Sequence, residues 1–259
     1  MTVEPITATT PRPLRHTLLT QSWRTVTFLH WRTDPVALES FMPPGTNPDT
    51  FDGASWIGLI AFRMVGMGFG PLGAVPYFGS FLETNVRLYS VDGLGRRGVV
   101  FLSLDADRLV PVLVSRQWPH IPYTWSTMSL QRTGTPANGY EQLRTGEQLT
   151  YTARRRWPAP GGARSRISVE VGDQIRTVSE RDAFLTARWG LHTRTLTGRA
   201  RYLPNAHPPW SLREARVLEC DDELIAATGL TPPSGAPESV LVADGVPVRF
   251  GAPLTPPPT

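Results

Sequence analysis

From Phe81 to Tyr89 the chain reads FLETNVRLY, a strict alternation in which successive side chains point to opposite faces of a strand. Glu83, Asn85, Arg87 and Tyr89 share one face, and Leu82, Thr84, Val86 and Leu88 share the other. A solvated surface strand alternates in the same way. The polar set here is an acid, an amide, a guanidinium and a phenol, without serine or lysine filler, and it predicts a face that lines a cavity.

Most of the chain can be read as strands of this kind. Ser22–Trp31, Ala54–Met64, Val99–Asp105, Trp125–Thr133, Tyr140–Trp157, Leu191–Leu203 and Trp210–Leu218 carry β-branched and aromatic residues between turn signals. Val240–Phe250 reads as a hairpin turning at Asp244-Gly245, and Asp92–Gly98 turns the Glu83 strand into its return partner. Helices are few. Asp34-Pro35 caps a short one that ends at Pro43-Pro44; Leu109–Trp118 is a second, broken by Pro119. Ser179–Trp189 is the clearest, with Ser179 and Asp182 as a capping box and Gly190 closing it, and Asp221–Thr228 ends at Gly229. Strands outnumber helices about three to one, which predicts a mainly β (α+β) fold, a barrel or related closed sheet with a few short peripheral helices. Eight Trp and 26 Pro beside 23 Gly fit the same picture. The expected organisation is a leader over residues 1–13, one domain over 14–250 and a tail over 251–259.

Charge narrows the chemistry. All 26 basic residues are arginine and the chain has no lysine, so no side chain can form a Schiff base. Gly68, Gly70 and Gly73 spell G-x-G-x-x-G, yet Pro71 lies inside it and a strand follows, which predicts a strand connection or flap, not a dinucleotide loop. Between Thr150 and Arg201 there are eleven arginines against four carboxylates, a pattern expected to form a solvated outer sheet face, with no nucleic-acid reader motif. His16, His30, His120, His192 and His207 are scattered without metal-ligand spacing, so no metal is expected. Cys220 stands alone among Asp221, Asp222 and Glu223, which raise its pKa and blunt it as a nucleophile. No G-x-S-x-G elbow occurs. No apolar run has the length to span a bilayer, and a cytoplasmic, membrane-free protein is the expectation.

Glu83, Arg87, Arg116, His120 and Tyr123 remain as a constellation, the last three around the proline-locked segment 116–123. Inside a barrel the charged members need partners, because an isolated buried charge costs several kcal/mol. Glu83 and Arg87 are roughly 13 Å apart along one strand, which makes Arg116 the expected partner of Glu83.

The motifs WRTVTFLHW, DPVALESFMPPG, FDGASWIGLIAFRM, VPYFGSFLETNVRLY, GVVFLSLDA, SRQWPHIPY and FLTARWGLHTR, running from Trp23 to Arg194, resemble the YqjF-like (DUF2071) family of the acetoacetate decarboxylase-like superfamily. That resemblance implies a β-barrel or cone around an internal pocket, in chains that commonly form homo-oligomers. The decarboxylases carry R-x-x-x-G-x-P-K, whose lysine makes the Schiff base; here Arg116 and Pro122 match, His120 replaces the glycine and Tyr123 the lysine. The acidic residue of the preceding strand looks similar to Glu83. The expectation is a pocket kept without the decarboxylase chemistry and without a cofactor, its ligand a small carboxylate or carbonyl compound. Arg87, Arg116, Asn85 and Tyr89 are the expected ligand-binding residues. Two alternatives are an imine-independent enzyme using Glu83, Tyr123 and His120 for acid–base chemistry, and a structural or partner-binding domain.

Overall fold

The computed structural model describes residues 2–70, 73, 79–109, 111–113, 121–134, 142–158, 161–195 and 198–254. Among the described residues twelve strands form one sheet: β1 (Leu19–Thr33), β2 (Thr46–Pro48), β3 (Ser55–Phe69), β4 (Phe81–Asp92), β5 (Arg97–Ala106) and β6 (Tyr123–Arg132), then β7 (Gln148–Trp157), β8 (Arg164–Gln174), β9 (Gly190–Arg194), β10 (Ala200–Ala206), β11 (Leu212–Asp222) and β12 (Ser239–Phe250). Among the described residues the helical elements are short, including 3-10 turns over Pro35–Phe41 and Ala226–Thr228 and α1 (Glu180–Thr186). Pairing is antiparallel except where β5 meets β6 and β9.

The sheet closes twice. Passing from β5 through β6, β7, β8, β11, β12, β1, β3 and β4 returns to β5, a ring of nine strands. The β9–β10 hairpin also bridges β5 to β12 and closes a second ring of seven, which shares β12, β1, β3, β4 and β5 with the first. The shared strands therefore have cover on both faces. Leu29, Leu59 and Val86, aligned across β1, β3 and β4, pack with Tyr151, Ile167 and Val169 inside the nine-strand ring. Their alternates Phe28 and Ile60 belong to a separate apolar cluster on the side of the seven-strand ring. Every residue of β4 is buried for this reason, its polar face included. Closure also removes the unpaired edges that an open sheet would expose.

The mainly β barrel matches the fold expected from the sequence, and several local readings are corrected. Asp244-Gly245 is not a hairpin turn: β12 runs unbroken and pairs with β1 from Phe250 to Ser239. Gly245 (φ 131°) instead faces a bulge in β1, where Thr25 takes φ 49° and a Cβ on Gly245 would lie 1.9 Å from the Trp23 carbonyl oxygen. Helix α1 stops at Thr186, three residues short of Trp189, and Gly190 opens β9 because a Cβ there would sit 2.3 Å from the Tyr202 ring. The strand expected from Tyr140 begins at Gln148, after a turn, and β8 had not been anticipated. Of the helix expected over Leu109–Trp118, residues 109 and 111–113 are helical, and 110 and 114–118 lie outside the described residues.

The expected leader is tied down. Arg97 Nε donates to the Glu4 carbonyl at 2.7 Å, Trp189 Nε1 to the Thr7 carbonyl at 3.2 Å, and Arg12 pairs with Glu4. At the other terminus Leu254 bridges to Tyr202.

The arginine-rich stretch is likewise not uniformly solvated. Arg154, Arg156, Arg164 and Arg166 are exposed, whereas Arg155 and Arg188 are buried. Arg155 grips Asp105 with Nε at 3.0 Å and Nη2 at 2.7 Å, and Ser126 Oγ donates to the same carboxylate at 2.6 Å.

Candidate ligand-binding and acid–base site

The seven-strand ring holds a cavity of about 340 Å³. Its polar end is built from β4, where Glu83, Asn85 and Arg87 line it, together with Tyr123 at the start of β6 and Arg188 after α1. β4 delivers three polar side chains in a row because every second residue points inward and its register with β3 places them opposite Phe62, Ile60 and Gly58.

Glu83 is 2% exposed. Tyr123 Oη donates to its Oε2 at 2.7 Å and Asn85 Nδ2 to its Oε1 at 3.1 Å. No cation pairs with it among the described residues; Arg116, the expected partner, and His120 lie outside them. Burial pushes the Glu83 carboxyl up to about 7, against the opposing pull of the Tyr123 and Asn85 hydrogen bonds, and the charge of Asp105 adds to the rise. The Tyr123 phenol is driven well above its ordinary value by burial and by the neighbouring Glu83 charge. The pair thus holds one acid that titrates near neutrality against one phenol that stays protonated.

Arg87 spends Nε and Nη2 on the Tyr89 hydroxyl, at 3.2 and 3.1 Å, and Nη2 also on the Leu185 carbonyl at 2.8 Å. Nη1 has no hydrogen-bond partner and the guanidinium no carboxylate partner among the described residues, although the residue is 7% exposed. Tyr89, expected to touch ligand, does not line the cavity: it sits behind Arg87, donating to Leu185 O at 3.0 Å, and fixes where that guanidinium points.

Two lining residues escaped the sequence reading. Arg188 Nη1 donates to Asp49 Oδ2 at 2.5 Å and Nε to the Phe184 carbonyl at 2.7 Å, while its buried Nη2 has no partner among the described residues. Asp49 also holds Arg97 at 2.6 Å, so one carboxylate anchors two cations. Burial lowers the pKa of Arg188 and Asp49 counters it. His207 bonds the Pro208 carbonyl through Nδ1 at 2.7 Å, and burial takes its pKa down to about 4, so it is a neutral imidazole with Nε2 as acceptor. Neither had a local signal: Arg188 sat within a run of arginines, and His207 was one of five scattered histidines.

Among the described residues no three His, Cys, Asp or Glu side chains group as a metal site, and no helix is long and apolar enough to cross a membrane.

The sequence profile of DUF2071, described as an uncharacterized conserved protein, matches residues 20–247. The chain belongs to the DUF2071 family. This DUF2071 chain is 28% identical over 221 residues to the uncharacterized protein YqjF of Bacillus subtilis (strain 168), covering 85% of each. Among solved structures it resembles the enduracididine biosynthesis enzyme MppR complexed with pyruvate (17% identity, 95% of this chain and 92% of that one, TM-score 0.65). It also resembles an acetoacetate decarboxylase-like enzyme from Sphingomonas wittichii RW1 (16%, 95% and 96%, TM-score 0.64). At these identities the likeness establishes the fold, which is acetoacetate decarboxylase-like.

Proposed function

We propose that the cavity binds a small organic acid bearing a carbonyl group, with its carboxylate on Arg87 and its carbonyl facing Glu83 and Tyr123. One observation carries this reading. Arg87 is a buried guanidinium with an unused Nη1 and no carboxylate beside it among the described residues. A cation taken out of water at a cost of several kcal/mol is tolerated where an anion completes it, and a bidentate carboxylate suits the fork. The pyruvate held by the fold relative MppR is an acid of this class. Asn85, whose Oδ1 has no partner among the described residues, and Arg116 belong to the same reading as further contacts. Thermal shift and calorimetry with pyruvate and acetoacetate test it: binding is expected in the wild type and lost in Arg87→Met. Unchanged melting with millimolar acid would remove the reading.

The Glu83–Tyr123 pair favours a second reading, proton transfer on the bound acid. With no lysine in the chain, the ligand carbonyl stays free and no imine forms. Glu83 as carboxylate takes a proton from the carbon next to the carbonyl, and the C–H electron pair moves into an enolate. Protonated Glu83 then no longer needs the Tyr123 hydrogen, which turns to the enolate oxygen. His120 is a second candidate base. Proton NMR in deuterated water reads this directly as loss of the pyruvate methyl signal, and Glu83→Gln is expected to keep binding and stop exchange. Exchange at the solvent rate with wild-type protein would leave a binding protein alone.

A further inference from the structure

The geometry points to an aromatic acid as the occupant, its ring seated against the wall of Trp23, Phe28, Phe62 and Trp210. This rests on the carboxylate-binding reading and adds to it what the rest of the ligand must be.

Space is the first argument. A cavity of about 340 Å³ is over twice the roughly 150 Å³ that takes a benzene molecule. Pyruvate bound at Arg87 would leave most of that volume empty, and an unfilled apolar cavity forfeits contacts on every wall.

The walls supply the second. Trp23 and Trp210 lie nearly parallel, 14° apart with ring centroids 6.0 Å apart. Phe28 meets Trp210 edge-on at 5.2 Å, Phe62 meets Trp23 at 5.5 Å, and His207 adds a ring 5.1 Å from Trp210. All five line the cavity. Because His207 is neutral, this end holds no charge of its own from that ring. Such a surface prefers a flat π-system to an alkyl chain, since offset and edge-on ring contacts add to area burial.

Continuity is the third. The Arg87 guanidinium lies 5.7 Å from the centre of the Phe28 ring, the ring that touches Trp210. A carboxylate on Arg87 therefore has the aromatic wall beside it. Trp23 Nε1 and Asn205 Oδ1, both buried in lining residues, have no hydrogen-bond partner among the described residues. A heteroatom on the ring would satisfy either one.

The test measures dissociation constants for pyruvate, 4-methyl-2-oxopentanoate, 3-phenylpyruvate and indole, by calorimetry and by quenching of tryptophan fluorescence. The expected order puts 3-phenylpyruvate at least tenfold tighter than pyruvate and several-fold tighter than the branched aliphatic acid, with fluorescence quenched. Trp23→Leu, whose indole Nε1 has no hydrogen-bond partner among the described residues, is expected to bring the ratio of 3-phenylpyruvate to pyruvate affinity down from tenfold or more towards one, and an undiminished ratio would overturn the inference. Equal affinity for the aliphatic and aromatic acids would overturn the inference while the carboxylate reading stands. Binding of indole with no binding of any acid would keep the aromatic wall and remove the carboxylate reading. Silence from all four probes would overturn both.

Discussion

Tyr123 Oη donates a 2.7 Å hydrogen bond to Glu83 Oε2, joining two residues 40 apart in sequence at the polar end of the cavity. The bond sets the protonation balance of the site. Without it and its Asn85 counterpart, burial alone would push Glu83 higher still. With it, the carboxyl titrates within the range where a general base works at neutral pH.

The raised Glu83 pKa makes folding stability depend on pH. The folded protein holds the Glu83 proton up to about pH 7, whereas the unfolded chain releases it near 4.5. The contribution of the neutral carboxyl is therefore complete below about 4.5, falls as pH rises and is gone above about 7. Two to three pKa units correspond to a few kcal/mol as an upper bound. Melting temperatures at pH 5 and pH 8 check this: wild type is expected to lose more than Glu83→Gln over the interval, and parallel losses would contradict the assignment.

Arg87→Met separates binding from folding. The Leu185 carbonyl keeps the Tyr89 hydroxyl as a donor, so that carbonyl is not stranded, and the variant removes a buried cation that has no carboxylate partner among the described residues. Stability within about 1 kcal/mol of wild type is expected, or a small gain. Acid binding is expected to disappear. Denaturant unfolding beside calorimetry tests both halves; a large loss of stability would mean that Arg87 serves the fold.

How much of this was legible in the sequence depends on the reach of each interaction. Alternation over Phe81–Tyr89 is a local signal and placed Glu83, Asn85 and Arg87 on one face, which the structure puts on a cavity wall. The same signal could not show that Tyr89 turns behind Arg87, because that follows from Leu185, 96 residues away. Arg155 and Arg188 find their carboxylates 50 and 139 residues distant, so no local pattern separates them from their solvated neighbours. Asp244-Gly245 looks like a turn because glycine with positive φ serves turns, and here it serves a bulge on the next strand.

Asp49 is expected to matter more for folding than for chemistry. It is 4% exposed and receives Arg97 Nη1 at 2.6 Å and Arg188 Nη1 at 2.5 Å. Asp49→Asn leaves two largely buried guanidiniums without their counter-charge, a loss of about 3–5 kcal/mol. A urea midpoint unchanged from wild type would show the pair to be dispensable. Asp49→Asn with Arg188→Met is expected to recover part of the loss, since the combination withdraws one of the stranded charges.

Gly245→Ala tests the double closure itself. β12 carries both rings, pairing with β1 along most of its length and with β10 at its end. At Gly245 the backbone has φ 131°, which a side-chain-bearing residue rarely adopts, and the new methyl would overlap the Trp23 carbonyl at 1.9 Å and Arg24 Cα at 2.8 Å. The contacts are with backbone, so no rotamer change relieves them. Only separation of β1 from β12 would. The expected cost is several kcal/mol, among the largest for any single methyl added to this chain. Because Trp23 belongs to the cavity wall, surviving protein is also expected to show altered tryptophan fluorescence. Substitution at Gly93, in the β4–β5 turn with open space around it, is the control expected to cost little. Similar melting temperatures for the two variants would show that β12 is not held against β1 as tightly as the register implies.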